Sequence, residues 1–143
     1  MSNTVLCAVD VSNKYRDKGV VWKAAHLASL DDSQLDIITV LPDFGMSVVG
    51  GFFDKNHQKE AISHTKAELK DMVKEALGDE VAAKVRHLVA VGTAYEEILA
   101  VAKKDKAGLI VIGAHKPDFK DYLLGPNAAR VVRHSSCSVY VVR

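Results

Sequence analysis

Cysteine is scarce in this sequence. Among 143 residues there are only two cysteines, Cys7 and Cys137, and each lies inside an apolar run. Because there is no Cys-x-x-Cys motif and no cluster of cysteine with histidine, the sequence predicts neither a zinc site nor a thiol redox centre. A disulfide between the two is geometrically possible, but their apolar surroundings favour two buried, reduced thiols in a reducing compartment.

An excess of charge of one sign and long hydrophobic runs are also missing. Nineteen Lys and Arg residues are balanced by eighteen Asp and Glu residues, a formal net charge of +1. Clustered positive charge normally binds nucleic acids and anionic membranes, so neither is the expected partner. No apolar stretch approaches the roughly 18 residues of a membrane helix, and Met1–Leu6 lacks the basic start of a signal peptide. We therefore expect a cytoplasmic protein without membrane insertion.

The sequence does have the composition of an ordinary globular domain, with 48% hydrophobic and 26% charged residues. We expect one domain over residues 1–143, because a single core serves chains of up to about 250–300 residues. Short, continuously apolar runs alternate with segments of helical periodicity. The predicted strands are 4–9, 35–41, a segment within 84–91, 109–112 and 138–142, and the predicted helices are 17–29, about 57–77, one opened by Thr93 and one opened by Pro126.

This alternation predicts an α/β fold. Strands that are apolar on both faces and separated by helices are typical of a parallel sheet covered by helices on both sides. Right-handed crossovers leave two usual orders for five strands, 3-2-1-4-5 or the flavodoxin order. In either doubly wound, Rossmann-like sheet a ligand lies beyond the C-terminal ends of the strands. The residues at those ends are Asp10, Val40, Gly92 and Gly113.

Three local patterns add detail to this fold. Residues 43–56 mix glycines with apolar side chains and show no period, which predicts a mobile, irregular loop with apolar anchors. A loop of this length is more often functional or partly disordered than a plain connector. Thr93 and Glu96 have the spacing of a capping box. Trp22, in the first helix, is interpreted as a packing residue.

The segment from Gly113 to Asn127 contains the parts of a phosphate-binding loop. Gly113 lets the backbone approach a ligand closely, and Gly125 precedes a helix whose N-terminal amides attract anions. His115 and Lys116 lie between them, so glycines, a cation and a helix N-terminus occur together. The alternative is that both glycines only form turns and that Lys116 is solvated.

The sequence lacks the motifs of several other nucleotide-binding and catalytic sites. The first strand is followed by neither Gly-x-Gly-x-x-Gly nor a P-loop, which excludes the usual dinucleotide and P-loop sites. The His-x-Gly-His motif of nucleotidyltransferases and the acidic pair of a receiver domain are absent from the sequence as well. His115 is a candidate general acid or base, but without a recognisable partner it is better interpreted as a solvated loop histidine. We assign no catalytic residue and no metal ligand, and because no positioned base can be named, any hydrolysis is expected to be slow.

The chain as a whole resembles the universal stress protein (UspA) family, in particular its small bacterial F/G-type members. The shared motifs are Val-Asp at 9–10, Ile-Val-Ile-Gly at 110–113, Tyr-Leu-Leu-Gly at 122–125 and the tail His-x-x-Cys-x-Val-x-Val-Val at 134–142. ATP-binding members carry Gly-x-x-Gly, nine residues and Gly-Ser or Gly-Thr between the fourth strand and the last helix. Gly113 and Gly125 match the first and third of these glycines, whereas Lys116 stands at the second and Pro126 at the Ser or Thr.

The resemblance implies an adenine nucleotide pocket, with ATP, accompanied by Mg²⁺, as the expected ligand. It assigns Asp10 to the adenine and ribose side, where its carboxylate accepts a ribose hydroxyl, and the backbone of Val40 to adenine. The phosphate side consists of Gly113, His115, Lys116, Gly125, Pro126 and the amide of Asn127. Pro126 removes a hydroxyl and a backbone donor, each worth about ten- to hundredfold in affinity for a charged ligand. Lys116 offsets part of this loss as a point charge. Without the resemblance, Asp10 is equally a turn aspartate and Val40 a core valine.

The last strand predicts a protein partner. In the order 3-2-1-4-5 it lies at a sheet edge, and Val139, Tyr140 and Val141 carry no charge that would prevent pairing with another chain. The resemblance implies an antiparallel homodimer through this strand, and twofold dimers are the commonest assembly.

The resemblance also implies a regulatory or protective role in the stress response. The alternative is an interaction module of the same family that binds no nucleotide and acts on a protein partner through its dimer surface or residues 43–56. An enzyme that uses His115 is the third hypothesis.

Overall fold

A five-stranded parallel sheet forms the centre of the computed structural model, which describes residues 3–42, 55–114 and 125–143. Its strands are β1 (Thr4–Ala8), β2 (Gln34–Leu41), β3 (Arg86–Val91), β4 (Ala107–Gly113) and β5 (Ser138–Val142). Their spatial order is β3-β2-β1-β4-β5, and all four pairs of neighbours are parallel. The predicted doubly wound sheet is therefore confirmed in the first of its two usual orders. All five C-terminal strand ends meet at one edge of the sheet.

Helices cover both faces of the sheet. They are α1 (Lys14–Leu30), α2 (Lys55–Leu77), α3 (Asp79–Ala82), α4 (Ala94–Lys104) and α5 (Pro126–His134). α1 and α2 pack over one face, and α4 and α5 over the other. In the part of the chain that the structure describes, no helix has both the length and the hydropathy required to cross a membrane.

Alternate residues of β1 supply the two cores, which explains why this strand is apolar throughout. Val5 and Cys7 belong to the core under α1 and α2, whereas Leu6 and Ala8 belong to the core under α4 and α5. Burial, together with a nearby negative charge, raises the pKa of the Cys7 thiol far above its ordinary value, so this cysteine is inert as predicted. Both cysteines are free thiols, but Cys137 is half-buried rather than buried, because it precedes the edge strand β5.

The ends of several elements differ from their predicted positions. β1 ends at Ala8 instead of residue 9, because residues 11–13 form a 3₁₀ turn that leads directly into α1. α1 therefore begins at Lys14, before the predicted start at 17. α2 begins at Lys55, so the end of the predicted irregular segment 43–56 is helical, and residues 43–54 lie outside the described part of the chain. The predicted stop of α2 is confirmed by Gly78, which has a φ of 84° and donates its N–H to the carbonyl of Lys74 at 2.8 Å.

The predicted capping box at the start of α4 is wrong in its hydrogen bonds. Thr93 is the N-cap, but its side chain makes no capping hydrogen bond. The helix instead starts with the backbone N–H of Glu97, which donates to the carbonyl of Thr93 at 3.0 Å. The Glu96 carboxylate accepts the hydroxyl of Tyr95 at 3.2 Å rather than reaching back to the N-cap. The spacing thus located the helix start without determining how it is capped.

A buried polar cluster lies at the opposite, N-terminal end of the sheet. Asp36 in β2 is 2% exposed, and the Arg86 guanidinium in β3 lies 3.4 Å from its carboxylate and 2.8 Å from that of Asp105, which follows α4. Burial, with the neighbouring Asp105 carboxyl as a further cause, raises the pKa of Asp36 to about 6, and the Arg86 charge opposes this rise. The single positive charge of Arg86 therefore lies beside two carboxyl groups, and the stability of this cluster depends on pH.

Candidate functional site

A cavity of about 580 Å³ opens at the C-terminal edge of the sheet. Its walls are the ends of β1, β2 and β4 and the first residues of α4 and α5. Six of the predicted site residues line it together: Asp10, Val40, Gly113, Gly125, Pro126 and Asn127. The other two, His115 and Lys116, lie outside the described residues. The fold therefore brings together, around one space, residues that lie far apart in the sequence.

Asp10 is held in a fixed orientation at one lip of this cavity. Its Oδ1 accepts the backbone N–H of Ser12 at 2.9 Å and the Ser12 hydroxyl at 2.6 Å. These are the hydrogen bonds of a turn aspartate, which was one of the two predicted roles. They engage Oδ1 alone, and within the described parts of the chain Oδ2 has no hydrogen-bond donor. The turn therefore leaves one carboxylate oxygen available to a ligand.

Asp17, in the first turn of α1, is a site residue that the sequence analysis missed. It is 3% exposed, and its Oδ2 accepts the backbone N–H of Asp10. Its carboxylate lines the cavity between the tips of β1 and β4. The only sequence signal was an acidic residue at the start of an otherwise apolar helical pattern, which is more often a solvated helix-start residue. Burial of this charge is a tertiary effect that periodicity does not reveal.

The close packing of α1 against the end of β4 leaves little room for a side chain at Gly113. A Cβ built at this position would lie 3.1 Å from Cγ2 of Val20 and 3.6 Å from Oδ1 of Asp17. The missing side chain therefore lets α1 pack closely against the end of β4. The predicted close approach of a ligand to this glycine stays a prediction.

The start of α5 offers few hydrogen-bond donors to the cavity. Gly125 is the N-cap and Pro126 occupies the first turn, as predicted, so one backbone N–H is missing there. The N–H of Ala129 donates to the Gly125 carbonyl at 2.9 Å, which begins the intrahelical ladder. Across the cavity, the amide of Ala114 donates to the Val142 carbonyl at 2.7 Å. Asn127 and Ala128 are the first-turn residues of α5 that keep an amide for a ligand.

The described walls are mostly apolar and carry negative charge only. The apolar part includes Val40, Ile98 and Ile112 and suits a flat heterocycle, whereas the acidic part is Asp10 and Asp17. None of the described wall residues is Lys, Arg or His. Within residues 3–42, 55–114 and 125–143, no three His, Cys, Asp or Glu side chains lie close enough together to hold a metal ion. The arrangement combines an apolar wall with a carboxylate at the Asp10 end that can accept a hydrogen bond from a hydroxyl group.

Comparison with known proteins gives this architecture a family. The profile of the universal stress protein family matches residues 1–143. The chain is 30% identical to universal stress protein G of Escherichia coli O157:H7 over 145 residues, covering 100% of both chains. Its fold is similar to that of universal stress protein UspA from Lactobacillus plantarum, with a TM-score of 0.77, 21% identity and coverage of 99% of this chain and 97% of that one.

A further structural relative was solved with a nucleotide. It is the universal stress protein from Archaeoglobus fulgidus in complex with dAMP, with a TM-score of 0.68, 20% identity and coverage of 99% of this chain and 98% of that one. At this identity the likeness concerns the fold. The match of the family profile over 1–143 and the full-length similarity to universal stress protein G show that the chain belongs to the universal stress protein family.

Proposed function

We propose that this chain, acting as one domain over 1–143, binds an adenine nucleotide in the cavity and has a regulatory or protective role in the stress response. One observation supports this proposal above all: Asp10, Val40, Gly113 and the start of α5 line the same cavity. These are the positions to which the family resemblance assigns the nucleotide. The dAMP complex of the Archaeoglobus fulgidus relative supports the same ligand class.

Each part of the cavity has a role in this proposal. The Oδ2 atom of Asp10 accepts a ribose hydroxyl, and its orientation is fixed in advance by Ser12. The apolar wall beside Val40 packs against the base. The amides of Asn127 and Ala128 donate to a phosphate at the N-terminus of α5. ATP with Mg²⁺ is the ligand that the family resemblance implies, and we place the protein in the cytoplasm.

Thermal melting tests nucleotide binding. A ligand present at about 100 times its Kd stabilises the folded state by about 2.7 kcal/mol, which raises the Tm of a domain of this size by roughly 5–10 °C. We expect such a rise with at least one of adenosine, cyclic AMP, AMP and ATP, and none with guanosine. If no adenine compound changes the Tm of the wild type but ATP stabilises Pro126→Ser, the chain is the interaction module without nucleotide.

We propose further that the protein is a homodimer through β5. This strand is at the edge of the sheet, and Tyr140 on it is 40% exposed. Trp22, predicted to be a packing residue, is instead 55% exposed and stacks on His26. Lys23, which is half-buried, lies 5.6 Å from the centre of the Trp22 ring and 6.0 Å from that of Tyr140, so it connects these two exposed rings beside the strand. Exposed apolar surface next to an open edge favours pairing with a second copy.

A charge placed in the edge strand is expected to break this dimer. In Tyr140→Asp, pairing would bring two like charges close to the twofold axis and would remove the apolar ring from the interface. We expect Tyr140→Asp to elute from a sizing column as a monomer, while the wild type and Tyr140→Phe elute as dimers. An elution volume of Tyr140→Asp equal to that of a dimeric wild type would contradict pairing through β5.

A further inference from the structure

An aromatic contact joins the two helices that begin at the cavity. Tyr95 is the second residue of α4, and the guanidinium carbon of Arg130 in α5 lies 5.0 Å from the centre of its ring. The ring of His134 in α5 lies 6.5 Å from the ring of Tyr95, at an interplanar angle of 31°. We call these three residues the Tyr95 cluster. Arg130 and His134 are four residues apart and share one face of α5, so one ring of α4 contacts two side chains of α5.

The Tyr95 cluster lies beside the cavity walls on both helices. Ala94, which precedes Tyr95, lines the cavity at the start of α4, and Asn127, three residues before Arg130, lines it at the start of α5. The contact between the helices is therefore within about one helical turn of both walls. Any change in this contact would move the two walls relative to each other.

The core holds α5 through small side chains. The buried residues of this helix are Ala128 and Val131, which pack in the core under α4 and α5. An alanine and a valine make fewer van der Waals contacts than larger residues do, so they resist small shifts of the helix only weakly. A guanidinium over an aromatic ring, by contrast, has a preferred geometry, with the cation facing the ring. The orientation of α5 relative to α4 therefore depends on the Tyr95 cluster.

We infer that the Tyr95 cluster positions the start of α5 for a phosphate group of the ligand, an inference that rests on the proposed function. In that function the first amides of α5 bind the phosphate, whereas Asp10 and Val40 contact the ribose and the base. Tyr95 and Arg130 are positioning residues, because the described cavity walls do not include them. The affinity for AMP should depend on the cluster, whereas the affinity for adenosine, which has no phosphate, should depend on it much less.

Calorimetric titration of Tyr95→Ala with AMP and with adenosine tests this role. The substitution removes the ring and keeps the charge of Arg130, so the electrostatic attraction of that charge for a phosphate is retained. We expect the ratio of AMP affinity to adenosine affinity to fall about two- to fivefold, the range that one cation–π contact at an exposed site supports. Tyr95→Phe keeps the ring and loses the hydroxyl that donates to Glu96 at 3.2 Å, so it should retain the wild-type ratio.

A control on the same helix separates positioning from a loss of stability. Leu99→Ala shortens a half-buried side chain of the same core, one turn along α4 from Tyr95, and should lower the Tm without changing the affinity ratio. If Tyr95→Ala does not fold, Tyr95→Leu, which keeps a large apolar side chain, takes its place with the same expected fall. An unchanged ratio in the folded variant, or an equal fall in Leu99→Ala, would overturn the inference and leave nucleotide binding in place. If neither AMP nor adenosine binds to the wild type, the proposed function and this inference both fail.

Discussion

Ala94→Phe is expected to abolish most nucleotide binding while leaving the fold intact. Ala94 is the first residue of α4 and lines the cavity, so a phenyl ring there occupies space that the base would need. The position is half-exposed, which limits the cost of a larger side chain to the folded state. We predict at least a tenfold loss of adenosine affinity, equivalent to about 1.4 kcal/mol or more, measured by calorimetric titration.

The matched control for this variant is on the same helix. Ala100→Phe adds the same ring at an exposed position outside the cavity walls, so it should bind adenosine with wild-type affinity. Circular dichroism at the binding temperature should show both variants folded. Wild-type affinity in a folded Ala94→Phe would place the nucleotide elsewhere on the molecule.

Asp36→Asn is expected to remove a large part of the pH dependence of stability. Folding raises the pKa of Asp36 from its ordinary 3.8 to about 6, so the folded state binds a proton that the unfolded chain does not hold between these values. The contribution of Asp36 to the free energy of unfolding is therefore fully present below about pH 4 and is lost as the pH rises through about 6. The contributions at low and at high pH differ by about 3 kcal/mol. When the pH is lowered from 7.5 to 5, the free energy of unfolding of the wild type should rise by about 1–2 kcal/mol relative to that of the variant.

The asparagine also resembles the protonated acid in its hydrogen bonding. Its amide can donate to Oδ2 of Asp105, which is buried and has no hydrogen-bond partner among the described residues, while Arg86 keeps its contact with Asp105 at 2.8 Å. At pH 7.5 we therefore expect Asp36→Asn to be more stable than the wild type in urea unfolding. Asp31→Asn, in which an exposed aspartate is changed, should keep the wild-type pH profile. If the free energies of unfolding of the wild type and Asp36→Asn change with pH in parallel, the cluster of Asp36, Arg86 and Asp105 does not control the pH dependence of stability.

The sheet was predictable because its signals are local. Apolar runs such as 109–112 mark strands that are covered on both faces, and the handedness of crossovers then leaves two orders, of which the structure shows 3-2-1-4-5. Pro126 located the start of α5 for the same kind of reason, since proline fits the first turn of a helix. The short α3 was missed, because one helical turn is too short to produce a period.

The polar interior was not predictable from local patterns. Asp17 and Asp36 stand in an apolar helix and an apolar strand, and only the packed structure shows that both carboxylates are buried. Arg86 and Asp105 lie nineteen residues apart in the sequence, and no spacing rule joins them. At the cavity, by contrast, the chain order of the strands already placed Asp10, Val40 and Gly113 at the same edge, since parallel strands end together.

The central claim is that the cavity beyond β1, β2 and β4 holds an adenine compound, and a crystal structure of the protein grown with adenosine tests it most directly. The claim predicts electron density for the nucleoside in this cavity, with a ribose hydroxyl within hydrogen-bond distance of Asp10 Oδ2 and the base beside Val40. A cavity filled by the protein's own side chains, or adenosine bound at another surface, would contradict it.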